Sequence, residues 1–227
     1  LVTRERYSDT EDAVYDISRI RVTSPDRVAT QHTSSTTEED GGRTELLNLR
    51  IGDPDRTISR DTATYVLSYR VTGAMRTSAD YDELFWDATG TGNPRIERVA
   101  VTVEVPGGAQ DTSCFYGPPR STTECPTNRS TRDGAAQFGV TDLAPGDNLS
   151  FGVQVTSGLV ADNAPRLEPD GSRLTAGERA AVVGTGVLGV GSLVGAPLLG
   201  QPRPAVEHGV GPGEGDVRVH VDRGCGR

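Results

Sequence analysis

The chain has 227 residues, 34% of them apolar, with 28 glycines and 14 prolines. That is room for one good-sized domain and an appendage, and the low apolar share suits a turn-rich β-domain with loosely structured flanks. The formal net charge is −9 and every basic residue is arginine, so no basic stripe exists to neutralise phosphates and nucleic-acid binding is not expected.

The first residues, Leu1 to Tyr7, read like the interior of a domain, without an initiator Met or a signal peptide. The expectation is a truncated segment, with one or two strands preceding it and one sheet edge left to be paired. Val14 to Thr23 is a strand with Ile20 and Val22 on one face. Gln31 to Arg43 is polar, with Glu38, Glu39 and Asp40 in a row, and reads as an exposed loop. Leu47, Leu49 and Ile51 alternate as a strand, and Gly52-Asp53-Pro54-Asp55 turns the chain, proline being preset for the second turn position.

Two core strands follow. From Ala63 to Val71 the odd positions Ala63, Tyr65, Leu67, Tyr69 and Val71 oppose Thr64, Ser68 and Arg70. From Ile96 to Val105 the valines 99, 101, 103 and 105 oppose Arg98, Thr102 and Glu104. Side chains on a strand point alternately to opposite faces, and β-branched residues suit a half-buried pleated surface. Between these strands lie Glu83-Leu84-Phe85-Trp86-Asp87 and a glycine-rich turn at Gly90 to Asn93. Ala136, Phe138 and Val140 alternate again, and Leu149, Phe151, Val153 and Val155 close the domain. With short strands at regular spacing and no crossover helices, the fold class is mainly β, an antiparallel β-sandwich.

The runs IGDPDRTISRDTATYVLSYRVTGAM, DELFWDATGTG and IERVAVTVEVPGG resemble a family of predicted bacterial membrane proteins, catalogued as domain of unknown function 2207. The likeness covers Leu1 to about Val160. It implies an extracytoplasmic β-rich domain, one or more membrane helices and a cytoplasmic tail; it implies no catalytic residues. The use of arginine without lysine, with the richness in alanine, glycine and valine, points to a GC-rich genome of actinobacterial type, a coding bias that says nothing about function.

Cys114 and Cys125 flank the loop CFYGPPRSTTEC. In an exported domain they are a candidate disulfide; two free thiols are the alternative. Closing so short a loop constrains the unfolded chain by about 3 kcal/mol. Cys225 is left over, and no CxxC or His/Cys spacing of a zinc site occurs.

Beyond 1–160, residues 161–175 read as a polar linker and 176–200 as one transmembrane helix. Thr175 and Glu178 have capping-box spacing, each side chain satisfying an end amide. Ala180 to Gly200 carries no charge, and at 1.5 Å per residue it spans roughly 30 Å, the depth of a bilayer core. Gly191 and Gly195 give a small-xxx-small face for helix packing. The alternatives are a glycine-rich linker or a buried core segment. Gly184, Gly186 and Gly189 also fit GxGxxG, but a dinucleotide site needs a βαβ unit around them, and only a polar tail follows. Residues 201–227 read as disordered, and arginines on both sides of the apolar run give no orientation bias.

No catalytic constellation emerges. His32, His208 and His220 stand apart from any candidate nucleophile. Asp53, Asp55 and Asp61, or Asp80, Asp82, Glu83 and Asp87, could gather oxygens for calcium, yet neither set follows an EF-hand pattern, and solvated turn carboxylates are the simpler reading. Trp86, Phe85, Tyr65 and Tyr69 could line a groove; aromatic residues of β-domains more often fill the core. The expectation is therefore a membrane-anchored binding module of the cell envelope, with no cofactor and with an envelope protein or glycan as partner. The rivals are an envelope hydrolase using the acidic residues around Asp82, Glu83 and Asp87, and a structural subunit packing through Gly191 and Gly195.

Overall fold

The structure is a computed structural model that describes residues 1–59, 62–160, 164–170 and 218–224. Among the described residues, fifteen strands form four antiparallel sheets, and the helical element is a short 3-10 turn at Asp40–Gly42. The expected linker cap and helix (Thr175, Glu178, Gly191 and Gly195) lie outside the described residues. No described helix is long and apolar enough to cross a membrane.

Two four-stranded sheets share the apolar core. One has the order β10 (Asp111–Gly117), β13 (Asn148–Thr156), β8 (Tyr81–Asp87), β7 (Met75–Thr77). The other has the order β11 (Thr127–Ser130), β12 (Ala136–Leu143), β9 (Ile96–Glu104), β15 (Arg218–Gly224). The alternation read in the sequence decides which side chains meet. Val99, Val101 and Val103 of β9 and Leu149, Phe151, Val153 and Val155 of β13 are all at most 1% exposed. Phe138 of β12 stacks on Phe151 of β13 with ring centroids 5.2 Å apart, tying the two sheets together. Each such buried side chain contributes about 1.5–3 kcal/mol over leaving it in water.

Four strands of the N-terminal third and one later strand form a five-stranded sheet, in the order β14 (Arg166–Pro169), β2 (Glu11–Val14), β1 (Val2–Arg6), β5 (Thr44–Ile51), β4 (His32–Glu39). β3 (Asp16–Thr23) and β6 (Val66–Thr72) form a separate two-stranded ribbon.

Three sequence expectations change here. The polar run from Gln31, read as a loop, is strand β4, whose every residue is exposed. Its neighbour β5 supplies the hydrogen-bonding partner along the full length, so pairing rather than burial holds it. An edge strand with polar faces is protected against pairing with another chain, and it leaves no hydrophobic signal to read. The Ala63–Val71 strand begins only at Val66 and lies in the ribbon; Leu67 is 36% exposed, and only Tyr69 and Val71 are half-buried. Finally, the tail expected to be disordered over 201–227 includes β15, which pairs with the edge of β9 from Arg218 opposite Glu104 to Gly224 opposite Arg98.

Candidate functional site

The outer face of the β10-β13-β8 sheet carries a row of polar and aromatic side chains. Register sets it up: Phe115 lies opposite Ser150, and Ser150 opposite Asp87, so the three project in one row across three strands. Asn148 Nδ2 donates to Ser150 Oγ at 3.1 Å. The Ser150 hydroxyl in turn donates to Asp87 Oδ1. In the next row Phe85 and Ser113 flank Gly152. A Cβ on Gly152 would stand 3.5 Å from the Phe85 ring and 2.5 Å from Ser113 Oγ, so glycine lets these side chains close over the strand. The Arg76 guanidinium sits 5.6 Å from the Phe85 ring centre, within cation–π range.

Beside this row opens a cleft of about 310 Å³ lined by Phe85, Asp87, Phe115, Arg120, Asn148 and Ser150, among others. Its rim is the disulfide loop. Cys114 and Cys125 are bonded with their Cα atoms 5.4 Å apart, and the Cys125 amide donates to the Cys114 carbonyl at 3.0 Å. Loop residue Arg120 adopts φ +69° and Ser121 N–H donates to Pro118 O at 2.9 Å, a tight turn that presents Arg120 to the cleft. A ligand here meets aromatic rings, a carboxylate, an amide and a guanidinium, a set suited to stacking plus directional hydrogen bonds.

A second cluster lies at the seam between the N-terminal sheet, the ribbon and the core. The Tyr15 ring meets Trp86 edge-on at 5.7 Å. Its hydroxyl donates to Glu5 Oε1, while Arg76 lies 3.4 Å from the same carboxylate oxygen. Burial, reinforced by the Glu5 carboxylate, holds the Tyr15 phenol well above its ordinary range; burial also raises the Tyr69 phenol. These two phenols are therefore neutral structural groups at neutral pH. Trp86 is half-buried against the core, as expected of it, whereas Phe85 on the opposite face is 36% exposed at the cleft.

A third cluster was not legible in the sequence. Arg43 Nε and an Nη donate to Asp12 Oδ1 at 2.9 and 2.8 Å, and Arg43 lies 3.2 Å from Asp170. Arg4 stands 3.5 Å from Asp12 and 2.5 Å from Glu168. Asp12 is fully buried, and Arg43 and Asp170 nearly so. This network clamps β14, which follows the core in sequence, onto the N-terminal sheet. Its parts come from residues 4, 12, 43, 168 and 170, whose meeting no local pattern announces.

The acidic residues weighed for chemistry are split by the pleat. Asp82 turns inward, 4% exposed, and accepts the Gly158 amide at 2.8 Å. Glu83 and Asp87 share the outer face but are four residues apart, roughly 13 Å along a strand. Paired carboxylates for glycoside hydrolysis need about 5–9.5 Å. His32 and His220 are exposed on β4 and β15, while Asp61 and His208 lie outside the described residues. Among the described residues no three His, Cys, Asp or Glu side chains gather as a metal site.

Fold and surface together define a disulfide-bonded, mainly β domain built from several antiparallel sheets, with a polar–aromatic cleft on one face. The family model described as the predicted membrane protein (DUF2207) N-terminal domain matches residues 1–155, and the chain belongs to that family, whose function is unknown. No curated protein and no solved structure matches the chain.

Proposed function

We propose that this chain is the extracytoplasmic β-sandwich of a membrane protein and that it binds a cell-envelope ligand, protein or glycan, in the cleft beside Asp87. The observation that carries the reading is the row Phe115, Ser150 and Asp87, extended by Asn148 and rimmed by a disulfide loop. A disulfide persists in oxidising compartments, which supports display outside the cytoplasm. Attachment to the membrane runs through residues 176–200, capped by Thr175 and Glu178 and packed through Gly191 and Gly195.

Isolated cell-wall glycan serves as the probe. The chain should co-sediment with it, and Asp87→Ala and Phe115→Ala should each weaken that binding at least tenfold while leaving the thermal transition within a few degrees. Equal binding by both variants and the native chain would remove the cleft from the account. Glycan-independent capture of an envelope protein, lost in the same two variants, would keep the cleft and make the ligand a protein.

A further inference from the structure

The long edge of β9 needs a strand. β9 is nine residues, with Val99, Val101 and Val103 essentially inaccessible to solvent, and its other edge is taken by β12. Unpaired, this edge would present a row of free amides and carbonyls beside an apolar face, a ready template for another chain. In the structure β15 covers it. Val219 and Val221 stand opposite Val103 and Val101, Arg218 opposite Glu104, and Arg98 bonds Asp222 at 2.9 Å.

β15 is nevertheless an edge strand. Among the described residues β9 is the strand it pairs with, and the Arg223 guanidinium adds a hydrogen bond to the Ala88 carbonyl. Val219 is 40% exposed and Val221 only half-buried, while Phe138 and Val153 in the central strands are at most 2% exposed. Its ion pair to Arg98 is more than half exposed on both partners, where such pairs contribute little. Within the chain, residues 171–217 lie between it and β14.

The proposed attachment adds a topological condition. A single membrane crossing by 180–200 puts residues before it and after it on opposite sides, so β15 and the two-sheet core could not then meet. A seated β15 and a single crossing are alternative states, and the crossing leaves the β9 edge vacant on the extracytoplasmic side.

We propose that the β9 edge is a strand-acceptor site for an extended polypeptide segment of a partner displayed on the same side of the membrane, with β15 marking what it accepts. The segment pairs antiparallel by main-chain hydrogen bonds, as in β-augmentation. It carries β-branched residues at alternate positions over Val101 and Val103, a basic residue opposite Glu104 and an acidic one reaching Arg98. The site lies on the sheet other than the one bearing the Asp87 cleft, so the two binding surfaces can be lost separately.

The probe is a fluorescent peptide of sequence DVRVHVDRG, the chain's own residues 216–224. In the full chain, Val219→Asp with Val221→Asp releases the resident strand. In detergent solution, where no bilayer separates β15 from the core, that variant should bind the peptide at least tenfold more tightly than the native chain, whose own strand competes. A peptide with both core valines changed to aspartate should not bind, and adding Glu104→Arg to the chain should weaken binding several-fold. No peptide binding by a folded variant, or equal binding of both peptides, overturns the proposal. Hydrogen exchange on the unaltered full chain gives an independent reading that no folding defect can obscure. Amides of 218–224 should exchange at least tenfold faster than those of β12, because the strand leaves while the core stays; equal protection would mean that β15 is a fixed part of the core and the site is not exchangeable.

Discussion

Replacing Arg43 by methionine removes the hub of the buried charge cluster and leaves the rest of the sheet its hydrogen bonds. Arg43 donates to Asp12 through two nitrogens at 2.9 and 2.8 Å, reaches Asp170 at 3.2 Å, and donates to the Glu11 carbonyl at 3.2 Å. Asp12 has no exposure at all. Without the guanidinium it keeps Arg4 at 3.5 Å as a longer-range partner, so the loss falls toward the lower end of the 3–5 kcal/mol typical of a broken buried pair. At about 3 kcal/mol, and roughly 2–4 °C per kcal/mol for a domain of this size, Tm should fall by about 6–12 °C. The single tryptophan, Trp86, lies at the seam against Tyr15 and reports the event by fluorescence in a urea titration. Arg95→Met is the matched control, since its pair with Asp142 at 2.5 Å is about two-thirds exposed on both sides and should change stability by less than about 0.5 kcal/mol. Adding Asp12→Leu to Arg43→Met should recover part of the loss, because charge and countercharge then leave together. A loss below about 1 kcal/mol for Arg43→Met, no larger than for Arg95→Met, would refute the claim that this network holds β14 to the N-terminal sheet.

Reducing the Cys114–Cys125 bond, or replacing both by serine, should lower stability by about 3 kcal/mol in denaturant titration, as expected for closing a loop of this length. Alkaline pH should destabilise the fold through Tyr15 and Tyr69, whose phenols are held above their ordinary values. Stability is then fully present below pH of about 10, the unfolded value, and is lost as pH rises above it, because only the unfolded chain ionises freely. Tyr15→Phe should flatten that decline in melts between pH 8 and 11; an unchanged slope would place the cause elsewhere. Deleting residues 180–200 should release the chain from membranes that otherwise retain it through alkaline carbonate extraction.

What could be read from the sequence followed the strength of its periodicity. The valines of β9 and the alternating residues of β12 and β13 lie where a period of two puts them, because one face of each strand is buried. β4 escaped notice because both of its faces are solvated, so its sequence had no alternation to show. β6 misled in the other direction: Leu67 fits the odd-position core pattern, but a two-stranded ribbon buries too little to use it. β15 carries a clear alternation, Val219 and Val221 between Arg218, His220 and Asp222, yet glycine-rich neighbours made the whole tail read as unstructured. The site divides the same way. The cysteine pair and the aromatic segment around Trp86 were visible locally. The row Phe115, Ser150 and Asp87 and the cluster Asp12, Arg43 and Asp170 depend on register between distant strands, which no window of sequence contains.

The central claim is that the β-domain lies outside the cytoplasm, and thiol labelling of intact cells tests it most directly. With Cys225→Ser in place, the remaining cysteines are Cys114 and Cys125. A membrane-impermeant maleimide should leave the chain unlabelled on untreated cells and label both residues once an impermeant reductant has opened the bond. Labelling that appears only after the cells are broken open would place the domain inside and contradict the account.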